Sequence, residues 1–154
     1  MADVHDAKTR SKNMAAIKCR NTKPEVYLRK KLHALGFRYK LGDKALPGKP
    51  DLVLPKHHAV IFINGCFWHA HGCHMFKIPA TRSEWWKHKL FRNKQRDHEQ
   101  WEELRANGWR VLVVWECAIR GRQKIVESEL IDQIAQWLRG ENEFCEIISS
   151  NEQP

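Results

Sequence analysis

The densest set of potential ligands in this 154-residue sequence is Gly65-Cys66-Phe67-Trp68-His69-Ala70-His71-Gly72-Cys73-His74, where two cysteines and three histidines fall within nine residues. Thiolate and imidazole together suit tetrahedral Zn²⁺. Cys66, His71 and Cys73 supply three ligands from one loop, and Cys117, at the end of a later apolar run, can supply the fourth. Such a closed set is structural rather than catalytic. The spacing is not that of a zinc-finger repeat, so isolated buried thiols remain the alternative at this point. Cys19 and Cys145 have no comparable neighbours and read as ordinary thiols.

Carboxylates offer a second chemistry. Asp51 follows Pro50 at the start of an apolar run, and the next run ends at Ile63-Asn64. A carboxylate there, facing a neighbouring strand, can hold a hard cation such as Mg²⁺ with help from a backbone carbonyl; it can also be a simple turn residue. Farther on, at about 100° per residue, Trp86, Lys89, Leu90, Asn93, Asp97, Trp101 and Leu104 form one helical stripe. Asp97 lies where the stripe turns from polar to apolar and needs either an ion-pair partner or a chemical role. Phe67-Trp68 and Trp86 are aromatics placed where a core seldom uses them, and apolar wedges of this kind can enter a base step. Trp85 is off the stripe and reads as core, as do Trp101, Trp109, Trp115 and Trp137.

The elements that must carry these residues follow from periodicity. Thr22 caps a helix with Pro24 and Glu25 in its first turn, Leu28, Leu32 and Leu35 on one face and Gly36 as its stop. Phe37–Leu41, Asp51–Leu54 and Ala59–Ile63 read as strands. A capping box at Thr81-Arg82-Ser83-Glu84 starts a long polar helix that ends near Asn107-Gly108. Trp109–Trp115 is a buried strand, and Ile125, Ile131, Ile134 and Leu138 mark a last helix. Strand, long helix, strand predicts a right-handed parallel crossover in a single α/β domain.

Composition narrows the partner. Lys and Arg number 27 against 18 Asp and Glu, a formal net charge of +9, which favours a polyanion and places nucleic acid first. Residues 7–24 hold six cations and no acid, so this arm either lies along phosphates or is a solvated terminus. The absence of a signal-like N-terminus and of long apolar stretches predicts an intracellular, cytoplasmic protein that does not span a membrane. Five cysteines, an odd count, fit a reducing compartment. No heptad or apolar surface stripe asks for a second copy, so a monomer is expected.

Taken together, these residues resemble the very-short-patch repair (Vsr) endonucleases, DNA mismatch nickases of the PD-(D/E)xK superfamily. The resemblance runs through Lys8–Met14, Leu46–Asp51, Gly65–His69, Pro79–Arg82, Arg96-Asp97, Gly108–Leu112 and Trp115–Cys117. It implies a restriction-endonuclease-like three-layer fold, a central mixed sheet flanked by helices, with a DNA-contacting arm at 1–20, the endonuclease domain at 21–140 and a C-terminal tail at 141–154. It implies hydrolysis of the phosphodiester 5′ to the thymine of a T:G mismatch in double-stranded DNA, the lesion left by deaminated 5-methylcytosine, with downstream repair proteins acting on the nick. Carried over by position, Asp51 and the Ile63 carbonyl would hold Mg²⁺, and Asp97 and Glu25 would organise water. His69 would act as general acid or water-orienting group. Phe67, Trp68 and Trp86 would form the wedge, Met14 would approach from the opposite groove, and Lys89 and Asn93 would read the T:G edges. Cys66, His71, Cys73 and Cys117 match the family's structural zinc site. The chain departs at position 64, where the family has a histidine and this sequence has Asn64. Neutral asparagine is no general base near pH 7. Either the metal ion activates the water with Asn64 orienting it, or the chain is a slow or non-cleaving, mismatch-binding relative.

Overall fold

Apolar runs of β-branched residues pair into a five-stranded mixed sheet in the order β1 (Lys40–Leu41), β2 (Leu52–Leu54), β3 (Ala59–Asn64), β4 (Arg110–Trp115), β5 (Phe144–Ile147). The structure is a computed structural model that describes residues 23–42, 44–74 and 76–150. Met14, Cys19, Thr22 and the rest of the basic arm lie outside the described residues. β1, β2 and β3 are antiparallel neighbours; β3, β4 and β5 run parallel. Among the described residues, four α-helices accompany the sheet: α1 (Lys23–Ala34), α2 (Ser83–Ala106), α3 (Glu116–Ile119) and α4 (Glu127–Arg139).

Alternation along the strands assigns the two faces of the sheet. Leu52, Leu54, Ile61, Leu112 and Val114 pack with Leu28 and Leu32 of α1 and with Leu130, Ile134 and Leu138 of α4. Val53, Val60, Phe62, Val111 and Val113 pack on the other face with Trp101 and Leu104 of α2. Helices therefore cover both faces, and the parallel β3–β4 pair, buried on each side, reads as continuous apolar sequence for that reason. Each fully buried Leu or Val here contributes about 1.5–3 kcal/mol relative to exposure.

Three expectations are corrected. The first strand is shorter than Phe37–Leu41, because Phe37 leaves the sheet to fill the core between α1 and α4, beneath the Arg139 guanidinium 5.2 Å from its ring. The capping box does not form. Arg82 is the N-cap, in the left-handed region at φ 56°, ψ 41°, with no side-chain cap bond, and Glu84 pairs with Lys87 at 3.4 Å instead. A left-handed residue bearing a Cβ costs about 1–2 kcal/mol. Finally, residues 144–147, inside the expected tail, are strand β5: Val111 N–H donates to the Glu143 carbonyl at 2.9 Å and Trp115 Nε1–H to Glu146 Oε1 at 3.2 Å.

One side chain ties the sheet to α4. Arg110, at the start of β4, stacks 4.3 Å from the Trp137 ring and donates to the carbonyls of Trp137, Leu138 (3.2 Å), His57 (3.4 Å) and Asn142 (3.0 Å). It thus serves last-turn carbonyls of the helix, sharing that of Trp137 with the Gly140 N–H at 3.2 Å. Arg110→Met is expected to destabilise the fold by about 2–4 kcal/mol in denaturant titration; a loss below about 0.5 kcal/mol would contradict the clamp.

Candidate functional site

The site is built on the C-terminal ends of β3 and β4. Asn64 lies opposite Trp115 in parallel register, so Cys66 and Cys117, two residues past each, emerge side by side. The 65–74 loop then folds back on itself: His71 N–H donates to the Cys66 carbonyl at 2.9 Å and Cys73 N–H to the His71 carbonyl at 2.8 Å. The His71 ring stacks on Trp115 with centroids 4.2 Å apart and planes 9° apart.

This brings the ligand atoms of Cys66, His71, Cys73 and Cys117 within 4.8 Å of one another. His71 Nδ1 lies 3.5 Å from Cys66 Sγ and 3.7 Å from Cys117 Sγ. A tetrahedral ion with metal–sulfur bonds of about 2.3 Å and metal–nitrogen bonds of about 2.0 Å requires sulfur–nitrogen separations of about 3.5 Å, so the four residues fit a small tetrahedral metal. The hydrogen bond from Cys66 holds the Cys117 thiol well below the ordinary thiol range, aided by His71 and the Ser149 backbone. The same bond, with burial, pushes Cys66 up. Glu116 Oε1 accepts from Cys66 N–H at 3.3 Å and steadies the loop from the second strand's end, a contact the sequence reading did not single out.

A cleft of about 570 Å³ opens beside this cluster, lined by Glu25, Lys49, Asp51, Ile63, Asn64, His69 and Asp97 among others. Asp51 Oδ2 accepts the Ile63 N–H at 2.7 Å. In an extended strand the N–H and C=O of one residue point to the same edge, so the Ile63 carbonyl also lies on the Asp51 side, past the end of β2. Glu25 is 4% exposed and bonds Arg29 one turn on at 3.4 Å. The loop bringing Lys49 into the cleft approaches so closely at Gly48 (φ 75°) that a Cβ there would lie 3.0 Å from Gln100 Oε1 and 3.1 Å from the Phe62 ring.

Asp97 has found its partner. Its Oδ2 lies 2.5 Å from His69 Nδ1, so the partner that the helical stripe called for is another candidate site residue. Asn64 is 5% exposed, and its Nδ2 has no hydrogen-bond partner among the described residues although the residue lines the cleft. Asp51, Glu25 and the Ile63 carbonyl are hard oxygen donors that do not close into a full cage. That arrangement fits a divalent ion that keeps waters and takes the rest of its ligands from a substrate phosphate.

The aromatic residues form one surface group next to this cleft. Phe67 meets Trp68 at 5.0 Å and Trp86 at 5.4 Å, and Trp68 meets Trp86 at 6.0 Å. Asn93 Nδ2 donates to the Trp68 carbonyl at 3.1 Å, which holds the loop to α2. Lys89 Nζ hangs over the Trp85 and Trp86 rings at 5.0 and 6.0 Å. Trp101, Trp115 and Trp137 are buried as expected, with Trp109 packed at the margin. Trp85 is not core: it is exposed, with its ring edge-on to Trp86. The cations three residues before and four after it, Arg82 and Lys89, were the signal that would have found it.

Residues 2–75 match the family model of the DNA mismatch endonuclease Vsr. The chain is 47% identical over 147 residues to the DNA mismatch endonuclease Vsr of Escherichia coli (strain K12), covering 96% of this chain and 94% of that relative. It is 41% identical over 119 residues to the type II nicking enzyme V.XorIIP of Xanthomonas oryzae pv. oryzae, covering 77% of this chain and 88% of the relative. It is 43% identical over 122 residues to V.NmeAIP of Neisseria meningitidis, covering 79% and 87%.

The cluster geometry generates a direct expectation. Elemental analysis of the purified chain should find about one tetrahedral-type metal ion per molecule, and Cys117→Ser should lose it and lower the melting temperature. Metal-free protein with an unchanged melting curve would contradict the assignment.

Proposed function

From a chain that belongs to the family of Vsr DNA mismatch endonucleases, we propose a strand-specific nickase that hydrolyses the phosphodiester 5′ to the thymine of a T:G mismatch. Pairwise identity of 41% and 43% to nicking enzymes supports a DNA nicking endonuclease; the mismatch and the cofactors are our proposal. The observation that carries it is the placement of His69. Its ring is paired with Asp97 and lines the cleft that holds Asp51, while the preceding residue, Trp68, belongs to the aromatic group. Recognition and cleavage thus share one short loop.

Each side chain then has a role that its position allows. Phe67, Trp68 and Trp86 enter the base stack beside the mismatch, where weak pairing lowers the cost of unstacking. Lys89 borders that group and reads base edges; Asn93 contributes chiefly by holding the Trp68 carbonyl. Met14 and the basic arm approach from the other groove. Asp51 and the Ile63 carbonyl would hold Mg²⁺, and the ion would supply positive charge against the phosphate and Lewis acidity toward water. Glu25 orients water at the cleft wall. With Nδ1 engaged by Asp97, the protonated His69 ring presents its Nε2–H to the leaving oxygen as general acid. The Cys66, His71, Cys73 and Cys117 cluster would hold Zn²⁺ as a structural ion. The fold is read as restriction-endonuclease-like, and the chain as a monomer acting on intracellular DNA ahead of repair proteins that process the nick. No described helix is long and apolar enough to cross a membrane.

Asn64 favours a second reading, a mismatch-binding protein that does not cut, because its amide cannot take a proton from water. Nicking assays on T:G and matched duplexes separate the two. The nickase reading expects Mg²⁺-dependent scission at the thymine strand only, with Asp51→Asn slower by at least about a hundredfold and binding retained. Tight T:G binding without scission, with cutting created by Asn64→His, would establish the binding module in its place.

A further inference from the structure

Ser149 is completely buried, at 0% exposure, and its Oγ has no hydrogen-bond partner among the described residues. It lies in the stretch that the sequence reads as a C-terminal tail. A hydroxyl that has given up water without gaining a partner is costly, and a folded chain seldom keeps one without a use for it.

The fold carries Ser149 to the cysteine and histidine cluster. Val114 of β4 pairs with Ile147 of β5; beyond that pair β4 turns into α3, which bears Cys117, and β5 runs on to Ser149. There the Ser149 backbone N–H donates to Cys117 Sγ. Ile148 packs against the apolar group that includes Cys66 and Cys117. Ser150 then fastens the segment, its N–H and its hydroxyl both donating to the Gln123 carbonyl, at 3.0 and 3.1 Å. The segment is thus held against Cys117 from both ends, by the β5 ladder before Ser149 and by Gln123 after it.

The chemistry of the cluster supplies the use. Three thiolates and a neutral imidazole around a divalent ion leave one net negative charge, and Cys66 and Cys117 are fully buried. Sulfur bound to a metal keeps lone pairs that accept hydrogen bonds, and donors just outside a ligand set orient the ligands and tighten the hold on the ion. Ser149 brings two donors to one sulfur: an N–H already engaged and a hydroxyl, on the same residue, still without a partner.

We propose that Ser149 is a positioning residue of the metal centre, its backbone N–H and its hydroxyl both donating to the Cys117 sulfur when that sulfur binds the ion. The hydroxyl thereby gains its partner, and the segment after β5 becomes part of the metal site. This inference rests on the reading of Cys66, His71, Cys73 and Cys117 as a metal centre and is independent of which DNA the chain cuts.

The test uses Co²⁺, a coloured ion that accepts the same ligands, titrated into the full chain against a chelator of known affinity. Ser149→Ala removes the hydroxyl alone. It is expected to weaken Co²⁺ binding about tenfold. It should also move the sulfur-to-metal absorption band to longer wavelength, because a sulfur that loses a hydrogen bond gives up charge more readily. Unchanged affinity with an unmoved band would overturn the proposal. So would a lowered melting temperature with the band unmoved, which would make Ser149 a packing residue. An unaltered chain that takes up neither Co²⁺ nor Zn²⁺ would remove the metal centre and this inference with it, whereas a variant that binds like the unaltered chain would remove the role of Ser149 alone.

Discussion

The parallel pairing of β3 with β4 is the interaction on which the site depends. Its last register pair, Asn64 with Trp115, sets Cys66 beside Cys117, residues 51 positions apart in sequence. Everything in the 65–74 loop hangs from that juxtaposition. The four cysteine and histidine ligand atoms can close only because both strands end at the same level, and the fold-back that brings His71 onto Trp115 fixes the direction in which Phe67, Trp68 and His69 leave the sheet. A loop of ten residues with two glycines has little apolar surface of its own to bury, and a metal ion is an economical way to order it.

Helix α2 acts as the ruler against which the loop is measured. Asn93 holds the Trp68 carbonyl and, one turn on, Asp97 holds His69. Trp86 stands two turns before Asn93 on the same stripe. The rise of a helix puts about 16 Å between Trp86 and Asp97, and the Trp68-His69 segment spans from the one to the other. Because both ends of the loop's working segment are bonded to one rigid element, a displacement of the aromatic residues is transmitted to His69. On the proposed nickase reading, binding at the mismatch and alignment of the cleft would be linked through this loop.

Much of this was legible in the sequence because periodicity and ligand chemistry are local. The stripe on α2 predicted which residues face inward, and Leu90, Trp101 and Leu104 are buried accordingly. The ligand set at Cys66, His71, Cys73 and Cys117 was readable from residue type, although its closure needed the strand register. Other features lay beyond local pattern. Strand β5 is formed by an Arg110-anchored edge at the far end of the chain, and nothing in Phe144–Ile147 by itself distinguishes an edge strand from a tail. Thr81 matched a capping box, yet the helix began one residue late, with Arg82 left-handed at the cap. Trp85 lies off the inward stripe and is exposed, where the sequence reading expects core. Exposure there is explained by the two flanking cations. Asp97 showed the converse: its need for a partner was visible, but His69, 28 residues away, emerges only from the fold.

The central claim is that one metal-ordered loop serves both recognition and cleavage. It is tested most directly with Cys73→Ser, which alters a ligand on the loop's outer end without touching the cleft or the aromatic group. In that variant, T:G preference over matched duplex and the single-turnover nicking rate should fall together, by similar factors, with the helical far-UV spectrum retained. Loss of metal with both quantities unchanged, or loss of one with the other intact, would contradict it.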